Sequence, residues 1–95
     1  MRATLLFRLK YKLEDGAVVE MVIWSVPERV AGSAHRFKYR LYFGRGSERI
    51  VGYDNERGKG DHRHVHGREM RYRFESPEKL IADFLADVEE ARARR

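Results

Sequence analysis

The sequence predicts an α+β protein, with a largely antiparallel five-stranded sheet and one C-terminal helix packed on its apolar face. Three segments alternate apolar and polar residues with period two, as strands with one buried face do. The last segment repeats apolar residues at helical spacing. Since 95 residues build one core, we expect a single domain, with the sheet over residues 3–74 and the helix over 77–92.

The first predicted hairpin begins with a strand at residues 4–13. Its apolar face carries Leu5, Phe7, Leu9, Tyr11 and Leu13. A two-residue Asp-Gly turn would place Glu20 opposite Tyr11 on that face, whereas a three-residue loop with Gly16 in the left-handed conformation places Val19 there. We therefore predict the three-residue loop.

Three further strands complete the predicted sheet. They cover residues 35–43, 48–54 and 69–74. The second of them has two possible inward sets, Ile50 with Gly52 or Val51 with Tyr53, and its pattern leaves both open.

The C-terminal segment has the start signals of a helix. Ser76 is the predicted N-cap and Pro77 lies in the first turn. The predicted apolar stripe comprises Leu80, Ile81, Phe84, Leu85 and Val88. The other side of the helix, predicted to be solvent-facing, carries Asp83, Asp87 and Glu90.

The outward positions of the predicted sheet are basic and partly aromatic. The predicted nucleic-acid-binding residues are Arg8, Lys10, Trp24, Arg36, Lys38, Arg40, Tyr42, Arg71 and Arg73. This composition is typical of a sheet that follows a phosphate backbone and stacks bases. A face solvated by long basic side chains and a homodimer surface are the alternatives.

Composition narrows the function classes. The net charge is +5, and the absence of cysteine excludes disulfides and thiolate chemistry and fits a cytoplasmic location. The apolar run 18–24 is interrupted by Glu20 and is too short to span a bilayer, so no membrane association is expected.

The segment Gly52–His66 contains three of the four histidines, and we predict it to be a long connection between strands. The predicted catalytic residues are Lys59, Asp61, His62, Arg63 and His64. His62 and His64 are predicted to transfer protons, and the other three to bind phosphate or to orient groups. Histidines beside cations suit phosphodiester cleavage at a 2′-hydroxyl, where one group removes a proton and another protonates the leaving oxygen. The alternatives are a histidine-carboxylate zinc site and a solvated loop. We expect no cofactor and no metal.

The Gly58-Lys59-Gly60 sequence does not match a P-loop. That motif needs a glycine five residues before Gly58 and a serine or threonine after Lys59, and this sequence has Tyr53 and Gly60 there. A backbone nest for one phosphate remains possible.

Three segments resemble the TumE family of bacterial toxin-antitoxin toxins. They are Val51–His64, with its Gly-Lys-Gly-Asp-His-Arg-His core, Val19–Pro27 and Lys79–Val88. The resemblance implies a cytoplasmic toxin, encoded beside an antitoxin that typically carries a helix-turn-helix domain. It brings no catalytic assignment.

Together these observations predict a toxin that acts on RNA as a metal-independent ribonuclease through the Asp-His-Arg-His segment. The alternative is a non-catalytic protein that uses its basic face to bind nucleic acid or the antitoxin. Because the loop and the sheet face both carry excess positive charge, we expect an acidic antitoxin surface.

Overall fold

The computed structural model describes residues 2–94 and has an α+β fold. Six strands form one antiparallel meander in which each strand pairs with the next. They are β1 (Thr4–Lys12), β2 (Val18–Ser25), β3 (Phe37–Arg45), β4 (Glu48–Asp54), β5 (His62–Val65) and β6 (Arg68–Arg71), and the helix α1 (Pro77–Ala93) follows. The fold class and the C-terminal helix are as predicted, but the expected number of five strands is wrong.

The additional strand, β5, lies inside the segment predicted to be a connection. His66 and Gly67 have φ angles of 49° and 81° and form the two-residue turn between β5 and β6. The His66 amide also donates to the Ile50 carbonyl, at 2.9 Å. Periodicity did not reveal β5 because a charged residue, Arg63, occupies its position toward the helix.

The register of the first hairpin is the predicted one. Tyr11 lies opposite Val19 and Lys10 opposite Glu20, and Gly16 has a φ of 90° in the three-residue loop. One position differs from the expected face: a β-bulge shifts the register between Leu5 and Phe7, so Leu5 pairs with Trp24.

The core lies between α1 and the central strands. Val51 and Tyr53 are fully buried there, which decides the inward set of β4. The remaining core residues are Ala17, Val19, Met21, Ile23, Tyr39, Leu41, Phe43, Leu80, Phe84, Val88 and Ala91. Ser76 caps the helix by accepting from the Lys79 amide at 3.1 Å, as expected. Leu85 does not belong to the buried stripe, because it lies on the helix flank with 38% of its surface exposed.

The helix covers one side of the sheet, called here the helix face, and the other side is called the open face. The predicted solvent-facing side of the helix needs correction, because Asp83 and Asp87 contact sheet residues Tyr72 and Tyr53. Within residues 2–94, no helix is long and apolar enough to cross a membrane.

Candidate functional site on the open face

The strand register places His62 and His64 together on the open face. His62 lies between Asp54 of β4 and Arg71 of β6, and His64 lies opposite Gly52. The same register puts these predicted nucleic-acid-binding residues on this face: Arg8, Lys10, Trp24, Lys38, Arg40, Tyr42 and Arg71. Two others, Arg36 and Arg73, lie just outside the ends of β3 and β6. The open face therefore unites the two histidines with most of the predicted basic and aromatic positions.

The ring orientation of His62 is fixed by the backbone. Its Nδ1 lies 3.0 Å from the Gly60 carbonyl oxygen, which can only accept a hydrogen bond. The proton of the neutral ring is therefore on Nδ1, and Nε2 carries the lone pair. Its Nε2 lies 3.9 Å from Oε2 of Glu69, and the side chain is 21% exposed.

His64 has the opposite tautomer. Its Nδ1 lies 3.0 Å from Nη2 of Arg49, and a guanidinium can only donate. The neutral His64 ring therefore accepts at Nδ1 and carries its proton on Nε2. Since residues two apart in a strand are separated by about 7 Å along the backbone, the lone pair of His62 and the N–H of His64 belong to neighbouring positions on the same face.

Gly52 makes the contact between Arg49 and His64 possible. It is buried and lies directly between Tyr42 and His64 in the sheet. A Cβ at this position would stand 2.9 Å from Cδ of Arg49, so the arginine side chain crosses the sheet over the glycine backbone. A residue with a side chain there would displace Arg49.

Arg63 lies on the opposite side of the sheet from both histidines. Its Nε and Nη2 each donate to a different oxygen of Asp87 at 2.7 Å, and its Nε also donates to the Tyr53 hydroxyl at 2.9 Å. Hydrogen bonding to Asp87 raises the pKa of Arg63. Burial, followed by the hydrogen bond to Asp87, raises the pKa of Tyr53. Arg63 therefore joins α1 to the sheet and is not brought together with His62 and His64.

Asp61 is also separated from the histidine pair. Its carboxylate accepts from Ser33 Oγ at 2.7 Å, from His35 Nε2 at 2.7 Å and from the Tyr39 hydroxyl at 2.6 Å. Its side chain is only 9% exposed. With three donors already bound, this carboxylate fixes the loop before β5 to the start of β3.

His35 belongs to this network and was not among the predicted site residues. Its ring stacks on Phe74 with centroids 3.8 Å apart, and its Nδ1 accepts from the Phe37 amide at 3.2 Å. Both ring nitrogens are thus engaged, the other one by Asp61. His35 and Asp61 are 26 residues apart in the chain, so no local spacing signals their contact.

The chain matches a known protein family over nearly its whole length. The model described as Toxin TumE matches residues 2–92. The chain belongs to the TumE toxin family. It is therefore the toxin component of a toxin-antitoxin module, which implies a cognate antitoxin. Neither a curated protein nor a solved structure gives a match to the chain.

Lys59 of the toxin lies outside the open-face pair. It is exposed and forms an ion pair with Glu56 at 3.2 Å, and this hydrogen bond raises its pKa. The Gly58 amide donates to the Ala31 carbonyl at 2.6 Å, and the Lys59 amide to the Glu56 carbonyl at 3.0 Å. Two amides of the possible phosphate nest are thus used within the toxin.

A polar cleft of the toxin, about 390 Å³ in volume, lies between α1 and strands β5 and β6. Tyr72 donates to Asp83 at 2.6 Å, and Lys79 donates to the same carboxylate at 2.9 Å. Burial opposes ionisation of Asp83, but these two hydrogen bonds outweigh it and lower its pKa. Asp83 and Asp87 thus hold the helix on the sheet from within this cleft, and two of the predicted nucleic-acid-binding residues, Arg71 and Arg73, also line it.

Among residues 2–94, no group of three or more histidine, aspartate or glutamate side chains is placed to hold a metal ion.

Proposed function

We propose that this toxin is a cytoplasmic, metal-independent ribonuclease whose reaction takes place on the open face. The observation that carries the proposal is that Nδ1 of His62 contacts the Gly60 carbonyl and Nδ1 of His64 contacts Arg49, which implies opposite tautomers. Of the five residues predicted to be catalytic, this assigns proton transfer to the two histidines alone. Asp61 and Arg63 are instead held in contacts within the fold, and Lys59 forms an exposed pair with Glu56.

In the proposed reaction, Nε2 of His62 takes the proton of the 2′-hydroxyl as its oxygen bonds to phosphorus. The bond to the 5′ oxygen breaks, and that oxygen takes a proton from the imidazolium form of His64. Protonation of His64 at Nδ1 ends its acceptance from Arg49, and the released guanidinium can then donate to a phosphate oxygen. The products are a 2′,3′-cyclic phosphate and a 5′-hydroxyl.

The rest of the open face supplies the proposed RNA contacts. Arg40 stacks over the Tyr42 ring at 5.3 Å, and Arg71 lies beside His62. Trp24 and Lys38 are opposite each other further along β2 and β3. Aromatic rings that stack bases beside cations that bind phosphates favour single-stranded RNA as the ligand.

The test is incubation of the purified toxin with single-stranded RNA in excess chelator. We expect fragments with cyclic phosphate ends, and a loss of about 100-fold or more in cleavage rate for His62→Ala and for His64→Ala, because proton transfer contributes about that much. DNA of the same sequence should bind without being cut, since it lacks the 2′-hydroxyl.

His66→Asn is the matched control. His66 lies in the turn after β5, and asparagine tolerates its positive φ. This variant should cleave as the unchanged toxin does. Cleavage that survives both histidine substitutions, or that requires added metal, would contradict the proposal.

The second candidate is a toxin that binds RNA without cleaving it. It is favoured by the position of Trp24 and Lys38, which lie on strands that do not carry the histidines. Intact RNA that nevertheless binds tightly, with no effect of His62→Ala or His64→Ala, would establish this function instead.

A further inference from the structure

The edge strand β1 has an apolar side that the toxin itself does not cover. Leu9 and Tyr11 lie on the helix face, yet each is 40% exposed because α1 packs over the central strands. On the helix flank, Leu85 is 38% exposed and Ile81 half-buried. An exposed apolar strip, formed by Leu9 and Tyr11, therefore runs along the helix face of β1.

The outer backbone edge of β1 is free within residues 2–94. Its nine residues pair only with β2, whereas the opposite edge strand, β6, has four residues. An unpaired edge offers a row of amides and carbonyls to another extended chain. At about 3.3 Å per residue, β1 offers an edge about 30 Å long.

Charge selects the kind of chain that can pair there. Arg8, Lys10 and Lys12 alternate with the apolar residues of β1, and within residues 2–94 none of them has an ion-pair partner. A second copy pairing through β1 would bring these cations close together, which is unfavourable. An incoming strand with acidic residues at alternate positions would instead meet them with opposite charge.

We propose that the antitoxin inserts an extended segment of alternating apolar and acidic residues as a seventh strand beside β1. Its apolar side chains cover Leu9 and Tyr11, and its carboxylates lie beside Lys10 and Lys12. Backbone pairing supplies affinity and the side-chain alternation fixes the register, as in other cases of strand addition. This inference depends on the antitoxin partner and not on RNA cleavage.

The test uses the full toxin and a synthetic eight-residue peptide of alternating valine and glutamate. Binding is followed by fluorescence anisotropy of the labelled peptide and by amide NMR shifts of the toxin. We expect the largest shifts in β1 and near Leu85, and no binding by a valine-lysine peptide.

Two sets of variants, one in the peptide and one in the toxin, distinguish strand addition from non-specific electrostatic attraction. The same acidic peptide can be N-methylated at alternate residues in two registers without changing its charge. Methylation on the peptide edge that pairs with β1 should abolish binding, and methylation on the other edge should not. In the toxin, Lys10→Glu with Lys12→Glu should weaken binding about tenfold, as two or three exposed charge pairs together contribute. The control pair Arg29→Glu with Arg68→Glu, which makes the same charge change away from β1, should have little effect.

The proposal is overturned if methylation in neither alternate register weakens binding, or if the shifts fall on the open face away from β1. It is also overturned if sedimentation shows a dimer that buries β1, since the occupant would then be a second copy. If the peptide binds but RNA is not cleaved, only the proposed ribonuclease function is refuted. If RNA is cleaved but the peptide does not bind, only the proposed strand addition is refuted.

Discussion

Arg63 and Asp87 form a two-bond ion pair across the interface between β5 and α1, with both N···O distances at 2.7 Å. The pair is partly buried, with side-chain exposures of 32% for Arg63 and 16% for Asp87. The Tyr53 hydroxyl bonds to the same carboxylate. Because of this pair, Arg63 is not available on the open face.

Asp87→Ala should lower the free energy of unfolding by about 2 kcal/mol, because it leaves Arg63 and the Tyr53 hydroxyl without their acceptor in a partly buried site. Urea unfolding monitored by circular dichroism measures the change. Glu89→Ala, an exposed change on the same helix, is the control and should have almost no effect. Equal stability of the two variants would show that the ion pair does not hold the helix.

Phe84 and Leu85 provide a direct test of the helix orientation. Phe84 is fully buried and Leu85 is 38% exposed. Phe84→Ala should cost about 3–5 kcal/mol, a large part of the stability of a small domain. Leu85→Ala should cost much less in the same urea experiment. A larger loss at Leu85 would mean that the helix is rotated.

The stability of the toxin should decline in alkali. Burial, followed by hydrogen bonding to a carboxylate, raises the pKa of Tyr39, Tyr53 and Tyr72. The unfolded chain loses these protons near pH 10, before the folded protein does, so the contribution is present below that pH and is lost as the pH rises above it. Urea midpoints between pH 8 and about pH 11 measure this, and Tyr72→Phe should make the decline shallower.

The histidine tautomers can be observed directly. Imidazole nitrogen NMR at a pH where the rings are neutral should show the proton of His62 on Nδ1 and that of His64 on Nε2. Gly52→Ala should displace Arg49 and change the His64 signals while those of His62 stay the same. Identical tautomers in the unchanged toxin would remove the main support for the proposed mechanism.

RNA affinity should depend on the positive charges of the open face and not only on the net charge of the toxin. Lys38→Glu with Arg40→Glu should weaken binding and reduce the salt dependence by about 0.7 per lost phosphate contact. Arg68→Glu with Arg29→Glu changes the net charge equally, and Arg68 lies opposite Val65 on the helix face. Equal weakening by both pairs would mean that binding is not confined to the open face.

The sequence by itself determined the features that follow from local pattern. Alternation and Gly16 fixed the first hairpin register, and Ser76 with Pro77 fixed the start of the helix, because each depends on residues close together in the chain. The placement of most basic positions on one face also followed from period two. For these features, local backbone preferences and the two-residue period of a strand are enough to predict the structure.

Only the tertiary structure decided which partners the charged residues of the histidine segment find. Arg63 meets Asp87, 24 residues away, and Asp61 meets His35, 26 residues away. These contacts depend on how the helix and the loops pack, which local periodicity does not encode. For the same reason the sequence did not predict β5. A strand position that faces the helix is expected to be apolar, but here it is Arg63, whose charge is paired with the distant carboxylate of Asp87.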